Sequence, residues 1–135
     1  MNRDVIAYTA GIVDGEGYIG LNKGTYYNLH IKVVNTNIHV LKWLQCKWGG
    51  SVTIHQRHIS YKWRTPFRWV LTGQKALECL RQISPLLIIK KQEAQCVLNQ
   101  WKAGTSDGRE VIWRQLIQLR AITIGTYEKQ KRELT

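Results

Sequence analysis

Four short stretches of this chain repeat with a period of two, and helical spacing separates them into two pairs. Ile19 and Leu21 alternate with Tyr18, Gly20 and Asn22; Leu29, Ile31 and Val33 alternate with Asn28, His30, Lys32 and Val34. Val52 and Ile54 alternate with Ser51, Thr53 and His55, and Phe67, Trp69 and Leu71 with Arg68 and Val70. A period of two is a strand with one face on a core, so helices must cover one side of a sheet and leave the other open. Pro66 belongs at the start of the last strand or on an edge.

The segments between the strands read as helices. Asn2 or Asp4 caps a first helix running to about Val13, and Thr36 or Asn37 caps a second, Ile38–Trp48, stopped by Gly49-Gly50. A third covers roughly Gln74–Ile83. Ser84-Pro85 restarts the chain as a cap with proline at the first helical position, opening a helix to about Lys102; a last helix covers roughly Arg109–Ile124. Lys23–Tyr26 reads as a hairpin turn with Gly24 at positive φ. The order αββαββα, with extra C-terminal helices, predicts an α+β fold of one domain over residues 1–135.

Charge narrows the partner. Twenty Lys and Arg stand against nine Asp and Glu, and Gly17 through Leu77 contains no acidic residue, while nine basic residues and all four histidines fall there. The open face of the sheet would carry Asn22, Asn28, His30, Lys32, Ser51, Thr53, His55, Arg57, Arg64 and Arg68. A solvated sheet face also alternates, but it normally mixes both signs. A one-sign face of Arg, Lys and Asn suits a polyanion, and a β-ribbon fits the major groove of double-stranded DNA. No long basic amphipathic helix and no apolar run of spanning length argues for a membrane; Leu86–Ile89 is stopped by Lys90 and Lys91. The N-terminus lacks a charged-then-apolar leader, and three cysteines, Cys46, Cys79 and Cys96, form no CxxC pair and read as small hydrophobes on helices. Both features lead to the expectation of an intracellular, reducing compartment, with organelle, phage and microbial cytoplasm left undistinguished. His55 and His58 have no cysteine or carboxylate nearby and do not read as a zinc site. Tyr61 and Trp63 are candidates for stacking on nucleotides.

The sharpest segment is Tyr8-Thr-Ala-Gly-Ile-Val-Asp-Gly-Glu-Gly-Tyr-Ile19, which reads as a helix ending in a glycine-rich turn before a strand. Small residues Ala7, Ala10 and Gly11 let another helix approach closely. Asp14 and Glu16 fall at the negative end of the helix dipole, an unfavourable place for a carboxylate unless a hard divalent cation binds there.

This segment resembles the motif of the LAGLIDADG homing endonucleases. Ala10–Gly17 matches its last eight letters, with Thr9 in place of the initial Leu and Glu16 in place of the final Asp. The resemblance extends to the αββαββα order and implies a curved antiparallel sheet. It implies that Glu16 is the metal-binding catalytic carboxylate, with the Gly15 carbonyl as a further metal ligand and Asp14 more structural. One motif per chain implies a homodimer through Ala7, Ala10, Gly11 and Asp14, and a palindromic or nearly palindromic target. The implied reaction is Mg²⁺-dependent hydrolysis across the minor groove leaving short 3′ overhangs, with Mn²⁺ as a substitute and Ca²⁺ supporting binding without cleavage. Pro85–Ala94 is similar to the family's later helix, whose first turn bears a basic active-site residue, and this implies Lys90 in that place with Lys91 as fallback; Lys90, Ala94, Val97 and Trp101 share one helix face. Asn35 is the corresponding polar amide, with Asn37 competing as cap or site residue. An intron RNA maturase or a non-cleaving DNA-binding regulator on the same scaffold is the alternative reading.

Overall fold

The computed structural model describes residues 1–55, 65–101 and 106–134. The elements are α1 (Arg3–Glu16), β1 (Gly17–Asn22), β2 (Asn28–Asn35), α2 (Ile38–Trp48), β3 (Ser51–Ile54), β4 (Phe67–Thr72), α3 (Gly73–Ile83), α4 (Lys91–Gln100) and α5 (Ser106–Leu134). The strands form one antiparallel sheet in the order β1-β2-β4-β3. The fold is the α+β arrangement that the alternation predicts. Ile19, Leu21, Leu29, Ile31, Val33, Trp69 and Leu71 are buried on one face, against Leu41 and Leu44 of α2 and Leu77, Leu80 and Ile83 of α3. Each such side chain contributes about 1.5–3 kcal/mol by leaving water.

α2 has the expected bounds because its signals are local. The Asn37 side chain accepts the His39 N–H at its start, and Gly49 and Gly50, both at φ 88°, end it. A Cβ at Gly50 would meet the Val70 carbonyl oxygen at 2.5 Å, so the close crossing to β4 also requires glycine. The indole of Trp69 donates to the Gly49 carbonyl at 2.8 Å and fastens the helix end to the sheet.

Other boundaries differ from expectation. α1, capped by Asn2 accepting the Asp4 N–H, does not stop near Val13 but continues through Glu16. There is no glycine-rich turn: Gly15 is helical, and Gly17 begins β1 with extended backbone. Gly17 is small because a Cβ would lie 2.7 Å from Val13 Cα and O. In the β1–β2 connection a short 3-10 turn covers Lys23–Thr25, and the positive φ angles fall on Tyr26 and Tyr27, not Gly24. Tyr27 packs its ring on Trp113 of α5, and the Arg109 guanidinium donates to the Tyr26 carbonyl; α5 holds the turn in this conformation. The segment after Ser84-Pro85 is only a 3-10 turn, Ser84–Leu86, and α4 begins at Lys91. Helix α5 starts earlier and runs farther than Arg109–Ile124. Cys79 is buried and burial pushes its thiol up to about 12, but Cys46 is exposed and does not pack as a core hydrophobe. No helix among the described residues is long and apolar enough to cross a membrane.

Candidate active site and nucleic-acid interface

The continuous helix α1 turns its two motif carboxylates to different sides. Asp14 faces inward along the chain. Its Oδ1 accepts the N–H groups of Ile89 (2.8 Å) and Lys90 (2.9 Å), and its Oδ2 that of Ile88 (3.1 Å). Burial works to raise the Asp14 carboxyl, but the three backbone N–H groups and the Lys90 charge outweigh it and hold it below the usual carboxylate value. The Lys90 ammonium in turn donates to the Asp14 carbonyl oxygen at 2.7 Å, a cation at the negative end of α1. Asp14 therefore fixes the segment before α4, consistent with a structural part.

Glu16 is exposed and faces the other way. Its Oε2 accepts from the Asn35 side-chain amide at 2.7 Å, and the Asn35 Oδ1 accepts the Asn37 N–H at 2.7 Å. The sheet makes this pairing: Gly17 opposes Val33, so the end of β2 lies beside the end of α1. Asn35 thus reaches Glu16, whereas Asn37 is spent on capping α2. Lys90 is half-buried at the N-cap of α4 rather than in its first turn, and Lys91 is exposed. Ala94 and Val97 are buried on the shared face, as the spacing predicts. The acceptor that the Lys90 ammonium finds in the chain is a neutral main-chain carbonyl, one residue before Gly15.

The dimer candidates divide. Ala10 is 1% exposed and belongs to the chain's own core, and Asp14 is committed to residues 88–90; neither forms the open face of α1. Residues three or four apart share a helix face, and the exposed row is Ala7, Gly11 and Gly15. Among the described residues, no atom outside the backbone of α1 itself lies within 4 Å of a Cβ built on Gly11 or Gly15. With Tyr8, Ile12, Glu16, Asn35 and Val40 these residues line a groove of about 530 Å³ that ends at the carboxylate. Thr9, the departure from the motif's leucine, is buried: its hydroxyl donates to the Val5 carbonyl (2.7 Å) and accepts from the Trp48 indole (2.8 Å), tying α1 to the end of α2.

On the open side of the sheet, Asn22, Asn28, His30, Lys32 and Arg68 line one depression of about 320 Å³, as parity predicts. Ser51 and Thr53 oppose Val70 and Arg68, and Arg68 Nε donates to Thr53 Oγ1 at 3.4 Å. His55 is exposed just beyond β3. Arg57, Arg64, His58, Tyr61 and Trp63 lie outside the described residues. Sequence reading missed two members of this face. Tyr18 stacks on His30 with ring centroids 5.5 Å apart, and Arg120 of α5 sits 4.4 Å from the Tyr18 ring centre. Parity put Tyr18 on this side; nothing in sequence brings α5 to it.

Glu16 and the Gly15 carbonyl offer hard oxygen donors at an open groove. Among the described residues no three His, Cys, Asp or Glu side chains cluster as a closed metal cage. This set fits Mg²⁺, which takes one or two carboxylates and fills its remaining positions from phosphate and water.

No family model matches the chain. Its structure is similar to that of the archaeal intron-encoded homing endonuclease I-Vdi141I complexed with DNA (14% identity, TM-score 0.62, 84% of this chain and 82% of that one). It is similar to the homing endonuclease I-CvuI with a DNA target in magnesium, the DNA not cleaved (18%, 0.54, 82% and 93%). The chain spans 63% of I-CvuI as crystallised with another target in calcium. It also matches the LAGLIDADG homing endonuclease I-GzeII in complex with DNA (18%, 0.56, 83% of this chain but 42% of that one).

Proposed function

From the premise that this chain has the fold of the LAGLIDADG homing endonucleases, we propose that it is a site-specific double-stranded DNA endonuclease. We propose that it acts as a homodimer, through metal-dependent phosphodiester hydrolysis that leaves short 3′ overhangs. The observation that carries this reading is Glu16: an exposed carboxylate, oriented by Asn35, at one end of a sheet whose strands contain no acidic residue.

The residues divide the work. The sheet face holds the duplex, Arg68, Lys32 and the asparagines supplying donors to phosphates and base edges. Asn35 keeps Glu16 in one rotamer through its amide. Glu16 and the Gly15 carbonyl would hold Mg²⁺, which supplies Lewis-acid stabilisation of the charge that develops on the phosphate oxygens. Lys90 holds the last turn of α1 in place. Packing α1 against α1 of a second copy along Ala7, Gly11 and Gly15 sets two Glu16 carboxylates near one two-fold axis, which fits a palindromic site.

The test is a library of palindromic and near-palindromic duplexes, incubated with the full chain in Mg²⁺ and separately in Ca²⁺. Cutting in Mg²⁺, binding without cutting in Ca²⁺, and loss of cutting with retained binding in Glu16→Gln are expected. Tight binding without cutting in either metal identifies a DNA-binding regulator instead; preference for folded intron RNA identifies a maturase.

A further inference from the structure

The open face of the sheet contains a cluster that its strands alone do not make. On β1, Tyr18 opposes Lys32 and Gly20 opposes His30. Gly20 is small for a reason: a Cβ there would lie 2.5 Å from Tyr18 Cε1 and 3.2 Å from His30 Nε2. The Tyr18 ring leans across this gap and stacks on the His30 imidazole at an interplanar angle of 17°. Two cations attend the same ring: Lys32 Nζ lies 5.4 Å from its centre and the Arg120 guanidinium 4.4 Å. Arg120 also donates to the Ile19 carbonyl at the free edge of β1, which fixes its position. Glu93 of α4 pairs with one of these cations, its Oε1 3.9 Å from Arg120 Nε.

We infer that Tyr18, His30, Lys32 and Arg120 form a phosphodiester-binding site, in which α5 adds a cation to the sheet at the end nearest Glu16. The inference rests on the DNA-binding reading above and adds to it residues outside the motif and a proton linkage. Lys32 and Arg120 converge on one ring with no acidic residue on any strand to neutralise them; Glu93 of α4 offsets part of the Arg120 charge through its Nε, and the aromatic ring holds both cations in place. A phosphate oxygen is the ligand that answers two fixed cations and an imidazole N–H at once. Tyr18 follows Glu16 by two positions across the junction of α1 and β1, so the bound phosphate lies beside the catalytic end, with the two Cα atoms at most about 7 Å apart.

The site is built to take up a proton. Burial, then the Lys32 and Arg120 charges, lower the His30 pKa from its ordinary 6.5, so the free protein holds a neutral imidazole near neutral pH. Arg68 of β4 lines the same depression and adds positive charge; Tyr18 faces His30 from β1 and Glu93 lies behind Arg120. A bound phosphate offsets these cations and favours the protonated ring. Binding therefore draws one proton from solvent onto His30, and affinity rises as pH falls toward the free-state pKa.

The test measures anisotropy of a short mixed-sequence duplex with the full chain in Ca²⁺, for wild type, Arg120→Gln, Lys32→Gln and His30→Gln. Each lost phosphate contact lowers the salt slope by about 0.9, so between about 50 and 200 mM salt wild type should lose about threefold more affinity than Arg120→Gln or Lys32→Gln. From about pH 7.5 to 5.5 wild type should tighten, by up to about tenfold per unit, and His30→Gln should lose this dependence. Arg120 also anchors α5, so Lys32→Gln, which removes no hydrogen bond to the main chain, checks that the effect is not unfolding. Unchanged salt slopes in both cation variants, with wild type still binding steeply, overturn this site and leave the endonuclease reading intact. Wild type that binds folded RNA but no duplex overturns both.

Discussion

Replacing Asp14 separates a structural carboxylate from a catalytic one. Asp14→Ala removes an acceptor for three backbone N–H groups at 2.8–3.1 Å. The N–H groups of Ile88 and Ile89 are exposed and turn to water at little cost. The Lys90 N–H is part-buried, and leaving it without an acceptor costs about 1–3 kcal/mol. Losing a negative charge at the start of α4 adds about 0.3–1 kcal/mol. The expected loss is therefore about 1–4 kcal/mol, a sizeable part of the 5–15 kcal/mol that holds a typical domain folded. Urea unfolding of the full chain at neutral pH reads it directly, with Glu16→Gln as control, expected within about 0.5 kcal/mol of wild type because its side chain is exposed. Limited proteolysis should show new cleavage around residues 86–91 in Asp14→Ala. An Asp14→Ala protein as stable as wild type, yet unable to cut DNA, would refute this reasoning and place Asp14 among the metal ligands.

Thr9→Val keeps the shape of a buried residue but leaves the Trp48 indole N–H without its acceptor, so unfolding should cost about 1–3 kcal/mol less, measured by chemical denaturation. Gly11→Leu should leave the folded chain's own stability nearly unchanged, since among the described residues nothing outside the backbone of α1 lies within 4 Å of a Cβ there, while sedimentation shows loss of the dimer; a Gly11→Leu protein that stays fully dimeric contradicts packing through α1. Gly20→Ala should push the Tyr18 ring off His30, forfeiting about 0.5–1.5 kcal/mol of stacking. Proton NMR titration should then place the His30 pKa nearer 6.5 than in wild type.

Where a signal lies within a few residues of its effect, the sequence was enough. The bounds of α2 follow from Asn37 and Gly49-Gly50, and strand parity sorted Asn22, Asn28, His30, Lys32 and Arg68 onto one side. Distant partners defeated it. Residues 88–90 stay out of α4 because Asp14, 74 to 76 positions earlier, takes their N–H groups. Tyr26 and Tyr27 hold positive φ where Gly24 was the local choice, because α5 grips that turn through Arg109 and Trp113. Ala7 and Ala10 are the same residue type three positions apart, and only the placement of α2, α3 and the sheet decides that Ala10 is core and Ala7 is surface.

The length of α1 also decides how the motif's acids are used. At 3.6 residues per turn, positions 14 and 16 stand about 200° apart around the helix axis. Had the chain turned after Val13, both carboxylates could have swung toward one cation. With the helix continuing to Glu16, one must point back into the chain when the other points out. The inward position finds unpaired N–H groups before α4 and serves stability; the outward position finds Asn35 and an open groove, and is free for chemistry. Gly17 enforces the division, because its missing side chain lets β1 leave the helix directly over Val13 without a further turn that would re-aim Glu16. A substitution such as Gly17→Ala should therefore damage cutting through the direction of Glu16 even where the carboxylate itself is intact.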